Sequence, residues 1–149
     1  MDPVAAAALS ELAVAPACDL DTLDEIAEHV WAERRGRGIE GLARGQRARV
    51  TYDHALPRPF RALLLDDEII VRPCRDPAQV CAAIAHELAH YTAAKAGLCL
   101  AHPDVWRLTL AILVPKSMMT PGASVGDVAA ATGAPWWAVE QRMEARRAA

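Results

Sequence analysis

The residues of this chain whose types and spacing could carry out chemistry are His86, Glu87 and His90, in the stretch IAHELAHYT at residues 84–92. On an α-helix, positions 86 and 90 are separated by about 400°, so both imidazoles project from one face and can bind one zinc ion. Glu87 lies about 100° round the helix, where its carboxylate can take a proton from an attacking water and pass it to a leaving amine. The pattern H-E-x-x-H on a helix is therefore typical of a zinc-dependent hydrolase.

The helix that this motif requires is predicted independently of it. Asp76 can cap the helix, because its side-chain oxygens can accept hydrogen bonds from the first backbone amides. Pro77 suits the first helical position, because the amide hydrogen that proline lacks would be unpaired there. The helix is expected to run through the motif and to end by Gly97. The alternative interpretation is an alanine-rich helix with two surface histidines and an unrelated glutamate. Tyr91, directly after His90, could donate a hydrogen bond near the site, although packing is its favoured role.

Strands are predicted just before this helix. Segments 47–52, RARVTY, and 61–73, RALLLDDEIIVRP, have the apolar composition of strands, and Asp66 with Asp67 divides the second one into a hairpin. The strand EIIVR at 68–72 leads through a short loop into the motif helix. We therefore expect a substrate peptide to bind along the edge of this strand, unless the strand is central and already paired on both sides.

A catalytic zinc site normally needs a third protein ligand, with a further position left for water or substrate. The metzincin pattern is excluded, because Ala93 and Ala96 stand where it requires glycine and histidine. The nearest downstream candidates are His102 and Asp104, beyond the helix end at Gly97. A site of two histidines completed by water is the further alternative.

Over most of residues 20–145, the order of elements resembles the ImmA/IrrE-type metallopeptidase family. The resemblance rests on strands that lead into AIAHELAHY, on a helix that ends in LAILVP, and on a small helical C-terminus. In that family the helix after the motif commonly provides a glutamate as the third ligand. Counting back from Pro115 places His102 at that position and Asp104 two residues later, so the resemblance ranks His102 first, Asp104 second and water third.

The resemblance implies a zinc-dependent endopeptidase with His86, His90 and His102 as metal ligands and Glu87 as the acid and base. It also implies a protein substrate, for which a transcriptional repressor is one candidate. Two other classes of function stay open. A catalytically inactive binding module would keep the scaffold but lack a functional third ligand, and the absence of the family's glutamate favours it. A DNA-binding regulator would use the C-terminal helices and the arginines.

The region before the strands is predicted to be helical and then irregular. Residues 20–35 place apolar side chains at helical spacing, with Thr22 and Glu25 as a capping box. His29 lies beside the apolar stripe and is expected to be a surface or packing residue rather than a ligand. Residues 35–45, rich in glycine and arginine, are expected to form a loop.

The region after the motif is also predicted to be helical. A buried helix between Pro103 and Pro115 is followed by two short helices in residues 124–147, divided at 133–135, with the outline of a helix-turn-helix. Together these elements predict an α+β fold in a single domain, residues 1–149, in which a small sheet packs beside the motif helix and both terminal parts are helical.

Composition points to a cytoplasmic protein. The four cysteines include no C-x-x-C pair, which favours reduced thiols, and the N-terminus begins with Asp2 and lacks the lysine or arginine of a secretory signal. No apolar run exceeds about seven residues, whereas a membrane span needs about 20.

Charge is unevenly distributed along the chain. Residues 1–30 carry seven acidic and no basic groups, and residues 31–61 carry eight arginines and three acidic groups. Because aromatic residues are scarce in the basic segment, a solvated surface is favoured there over a nucleic-acid interface.

Overall fold

A computed structural model describes residues 2–148 of the chain. Within that range the structure combines a helical majority with one small mixed sheet, and the predicted α+β fold class is confirmed. The described α-helices are α1 (Pro3–Leu12), α2 (Leu20–Ala32), α3 (Gly38–Gly45), α4 (Pro77–Lys95), α5 (His102–Leu113), α6 (Val125–Thr132) and α7 (Trp136–Ala148). The strands are β1 (Arg49–Tyr52), β2 (Ala62–Leu65) and β3 (Glu68–Val71), and a short 3-10 helix covers Lys116–Met118. Over residues 2–148, none of the helices combines the length and apolar character needed to cross a membrane.

The three strands are ordered β1-β3-β2, so β3 is the central strand. It pairs in parallel with β1 and in antiparallel fashion with β2, the other arm of the predicted hairpin, whose turn includes Asp66 at a φ of 55°. The expectation that a substrate adds to the edge of residues 68–72 is therefore wrong, because both sides of β3 are already paired. Ile69 and Val71 are fully buried, as the apolar side chains of a central strand should be.

Helix α4 carries the motif and begins and ends as its sequence predicts. The Asp76 carboxylate accepts a hydrogen bond from the Ala78 amide at 3.0 Å, and Pro77 is the first helical residue. After Lys95 the chain reverses at Gly97, whose φ of 73° favours glycine, and the Leu98 amide donates to the Ala93 carbonyl at 2.9 Å.

The interior face of α4 is made mostly of small side chains, which let α5 and the sheet pack closely against the helix. The buried residues of α4 are Ala82, Ala83, Ile84, Ala85, Leu88, Ala89, Thr92 and Ala93.

Helix α2 lies within the predicted segment but is capped differently. Asp19 is the N-cap and accepts hydrogen bonds from the Asp21 amide and the Thr22 hydroxyl, both at 3.3 Å. The expected capping box of Thr22 with Glu25 is wrong, because the helix begins at Leu20 with Asp19 as its N-cap, so Thr22 already lies inside the first turn. His29 is a surface residue as expected, with its Nε2 2.9 Å from Glu33.

Residues 38–45 form helix α3 rather than the expected loop. Burial of Leu42 and Ala43 in the core compensates for the low helix propensity of the glycines in this segment. Gly41 is required by a close backbone approach, since a Cβ atom there would lie 2.3 Å from the Gly36 carbonyl oxygen. Local composition therefore predicted the wrong structure where tertiary packing dominates.

The C-terminal helices α6 and α7 are divided at Gly133, whose φ is 74°, as predicted. Helix α7 is attached to the rest of the protein by Arg142, whose guanidinium forms an ion pair with Asp24 and donates to the Val114 carbonyl at 3.0 Å. One cluster of buried apolar side chains extends from Leu23 in α2 through the sheet and α4 to α7.

Candidate metal centre

Helices α4 and α5 bring three histidines together. His86 and His90 lie on α4, His102 is the first residue of α5, and one nitrogen from each ring lies within 4.8 Å of the others. Nε2 of His86 and Nε2 of His102 are 3.2 Å apart. Tetrahedral zinc with nitrogen ligands separates two ligand atoms by about 3.3 Å, as its bond lengths and angles require. The three histidines are therefore close enough to hold one metal ion.

The first of these rings, His86, is oriented by a buried threonine of α5. The Thr109 hydroxyl donates its one proton to the Val105 carbonyl at 2.7 Å, and its oxygen lies 3.1 Å from Nδ1 of His86. Since that proton is already used, the oxygen must accept a hydrogen bond from Nδ1–H. The lone pair of His86 is consequently on Nε2, the atom that faces His102.

The third ring, His102, is oriented by a carboxylate from the N-terminal helix. Oε2 of Glu11 lies 2.5 Å from Nδ1 of His102 and accepts its hydrogen. This arrangement again leaves Nε2 free for a metal, and a carboxylate behind a ligating histidine is a common support in metal sites. Two histidines from different helices thus present the same ring atom toward a shared point.

Aromatic stacking further restrains the His86 ring. Trp106 of α5 stacks on it with ring centroids 4.0 Å apart and planes inclined by 23°. The ring of His90 stacks in turn on that of His102, with centroids 5.6 Å apart. Rotation of any one of these rings would disturb its neighbours, so the cluster is preorganised.

The surroundings of His86 and His90 favour neutral imidazoles by lowering the pKa of both rings. Burial, followed by the charges of His90 and His102, lowers the pKa of His86 to about 3. Burial also lowers the pKa of His90, with the charge of His102 as the smaller cause. Neutral imidazole is the form that binds metal, so no deprotonation of His86 is needed at neutral pH.

Glu87 differs from the three histidines in its surroundings. Burial raises the pKa of its carboxyl group to about 7, against the opposing effect of the charge on His102. An acid or base works best when its pKa lies near the working pH. Glu87 is thus suited to exchange protons at neutral pH.

The histidine cluster opens into a cleft of about 930 Å³. His86, Glu87 and His102 line it together with Trp106, whereas His90 does not. The other walls come from α1, from α4, from the hairpin and from the loops that flank it. These lining residues are Pro3, Val4, Ala7, Arg58, Pro59, Phe60, Arg61, Ala62, Arg72, Pro73, Cys74 and Ala83.

Asp104, the second candidate for the third ligand, forms hydrogen bonds away from the histidines. The alternative in which Asp104 binds the metal is therefore wrong. Its Oδ2 accepts hydrogen bonds from the amides of Ala17 and Cys18 at 3.1 and 2.9 Å, and its Oδ1 pairs with Arg107 at 2.9 Å. Arg107 also donates to the Leu12 carbonyl at 3.2 Å. This partly buried pair holds the segment that follows α1 and so helps to place Glu11 beside His102.

Tyr91 does not line the cleft, which agrees with its favoured packing role. Its ring lies under the Lys95 ammonium, with the nitrogen 5.3 Å from the ring centroid.

The supporting residues Glu11, Thr109 and Trp106 were not predicted as parts of the site. A signal for Thr109 exists, since a spacing of seven from His102 puts both side chains about 20° apart on α5. No local pattern marks Glu11.

A scan against known protein families found no match to this chain, and a search of curated proteins found no relative.

Proposed function

We propose that this protein is a zinc-dependent endopeptidase of the type suggested by its resemblance to the ImmA/IrrE metallopeptidases. The observation that carries the proposal is the convergence of His86, His90 and His102 beside the buried carboxyl of Glu87 in an open cleft. A protein partner, such as a transcriptional repressor in the cytoplasm, is the proposed substrate.

Zinc is the proposed metal because of the type and number of its donors. Three imidazole donors suit zinc better than magnesium or calcium, which prefer oxygen ligands. His86, His90 and His102 would hold the ion, and two of them, His86 and His102, line the cleft. When bound there, zinc supplies a Lewis acid that polarises a carbonyl and acidifies water.

Glu87 carries the proton transfers of the proposed reaction. Its carboxylate takes a proton from the water whose oxygen forms a bond to the scissile carbonyl carbon. The same group then delivers that proton to the amide nitrogen as the carbon–nitrogen bond breaks. The products are a carboxylic acid and an amine, and Glu87 returns to its starting form.

The structure offers less support for a DNA-binding regulator. A recognition helix α7 would begin at Trp136 and Trp137, and its following residues Ala138 and Val139 are buried in the core. Arg142, a basic group of the same helix, is occupied by Asp24. A catalytically inactive binding module would lack a functional third ligand, and the position of His102 beside His86 and His90 therefore favours the peptidase.

Metal analysis and peptide hydrolysis test the proposal together. We expect about one zinc per chain in untagged wild-type protein, and its loss in His86→Ala and His90→Ala. Glu87→Gln should keep the metal and lose cleavage of a proteome-derived peptide library, read by mass spectrometry as new peptide ends. Unchanged metal content in the histidine variants would contradict the site. Metal retention with no cleavage by wild-type protein would favour the inactive module.

A further inference from the structure

Two arginines face each other where the hairpin opens into the cleft. Ala62 of β2 pairs with Val71 of β3, and the Arg72 amide donates to the Arg61 carbonyl at 2.9 Å, so the antiparallel ladder continues to these two residues. Like charges directly opposite each other on neighbouring strands destabilise a sheet. Both residues line the cleft that contains His86 and Glu87.

Neither arginine is neutralised within the part of the chain that the structure describes. Over residues 2–148 no carboxylate lies within ion-pair distance of Arg61 or Arg72, or of Arg58, the third arginine of the cleft. Arg107 and Arg142, by contrast, each have an aspartate partner. The chain has 19 acidic residues against 16 basic ones, so a shortage of acids does not explain the unpaired cluster.

The residues around Arg61 and Arg72 indicate which kind of ligand fits the cleft. The Arg72 guanidinium donates to the Leu56 carbonyl, which restrains its position, and Arg61 is half-buried. Phe60, an exposed ring, and Pro59 add apolar surface to the same cleft. A ligand with both an anionic group and apolar side chains would complement the arginines and the apolar residues of this cleft.

From the facing pair we infer that the cleft binds a peptide carboxylate through Arg61 and Arg72, beside apolar residues of the same peptide. This inference rests on the proposed peptidase function and adds a substrate class to it. Arginine matches a carboxylate with paired hydrogen bonds, and such charge-assisted bonds are stronger than neutral ones. A peptide is favoured over nucleic acid because Glu87 and the apolar wall share the cleft with the arginines.

The carboxylate has two chemical sources, an aspartate or glutamate side chain and the C-terminus of a peptide. Both can be presented on short peptides of otherwise equal sequence. One set is C-terminally amidated and carries a central Glu or, in its neutral match, Gln, next to phenylalanine. A second set carries the central Gln with a free or an amidated C-terminus.

Binding is measured by calorimetry on zinc-loaded Glu87→Gln protein, so that the readout does not depend on cleavage. We expect a preference of about tenfold or more for one carboxylate-bearing peptide over its neutral match, as charge-assisted bonds typically give. Arg61→Gln and Arg72→Gln should each reduce that preference severalfold. Arg75→Gln is the matched control, since it removes the same charge from an exposed residue that does not line the cleft.

The two sets of peptides identify the source of the carboxylate, and either preference supports the inference. The inference would be overturned if charged and neutral peptides bound equally or if none of them bound. It would also be overturned if Arg75→Gln reduced the preference as much as Arg61→Gln and Arg72→Gln. A single-stranded oligonucleotide that binds more tightly than the peptides through the same arginines would overturn it as well. Selective carboxylate binding by a protein that cleaves nothing would refute the proposed peptidase and leave this subsite standing. Thermal unfolding and metal content verify that each variant is folded.

Discussion

Glu11 and His102 are 91 positions apart in the chain, yet the carboxylate of the first lies 2.5 Å from Nδ1 of the second. The contact joins the N-terminal helix to the candidate metal centre. It fixes the hydrogen of His102 on Nδ1 and leaves Nε2 toward the other histidines, so a residue outside the motif determines whether the third ligand is available.

Replacing that carboxylate should weaken metal binding without removing any metal ligand. We expect Glu11→Ala to lower zinc affinity about 10- to 100-fold, the usual effect of losing a support behind a ligating histidine. Competition with a chromogenic chelator measures the affinity. Glu144→Ala, at an exposed glutamate on α7, is the control, and an equal loss in both variants would show that Glu11 does not act through His102.

Thr109 on α5 should support His86 on α4 as Glu11 supports His102, by accepting the hydrogen on Nδ1 of the ring. Thr109→Val keeps the shape of the side chain but removes the acceptor of the Nδ1 hydrogen, leaving a buried donor unpaired at a cost of about 1–3 kcal/mol. Zinc affinity is expected to fall about tenfold or more. Thr109→Ser restores the hydroxyl and should recover most of the affinity. If the serine variant behaves like the valine variant, packing rather than the hydrogen bond is responsible.

His102 and Asp104, two positions apart, should have opposite effects when mutated. His102→Ala removes a candidate ligand at a half-exposed position, so it should sharply reduce zinc affinity and change the stability of metal-free protein little. Asp104→Asn breaks a buried ion pair with Arg107, which we expect to lower the free energy of unfolding by about 3 kcal/mol. Urea unfolding of metal-free protein and zinc titration separate the two effects. A stable Asp104→Asn protein with lost metal affinity would reverse these roles.

The cysteines should differ in reactivity according to burial. Burial raises the pKa of Cys81 to about 11, so only a small fraction of this thiol is the reactive thiolate at pH 8. Cys74 and Cys99 are exposed and should react first with iodoacetamide, as followed by peptide mass spectrometry. Cys81 should react much more slowly in the native protein and at the rate of the other thiols in denaturant. Equal rates for Cys74 and Cys81 in the native protein would contradict the described packing of α4.

Local sequence was sufficient to predict the parts of the site that depend on local geometry. His86, Glu87 and His90 are placed by the regular rise and rotation of one helix, whose ends are encoded by Asp76 and Gly97. The hairpin and the C-terminal helix break depend similarly on short turn sequences. In each case the controlling interactions join residues a few positions apart.

Tertiary structure decided the features that depend on distant segments. The same apolar strand pattern is compatible with an edge or a central position, and only the pairing of β1 with β3 makes β3 central. Likewise, the chain order does not show that Glu11 meets His102 or that Asp104 turns away from the histidines toward Ala17 and Cys18. These contacts arise because α1 packs against α5, and such packing depends on the whole core rather than on the spacing of neighbouring residues.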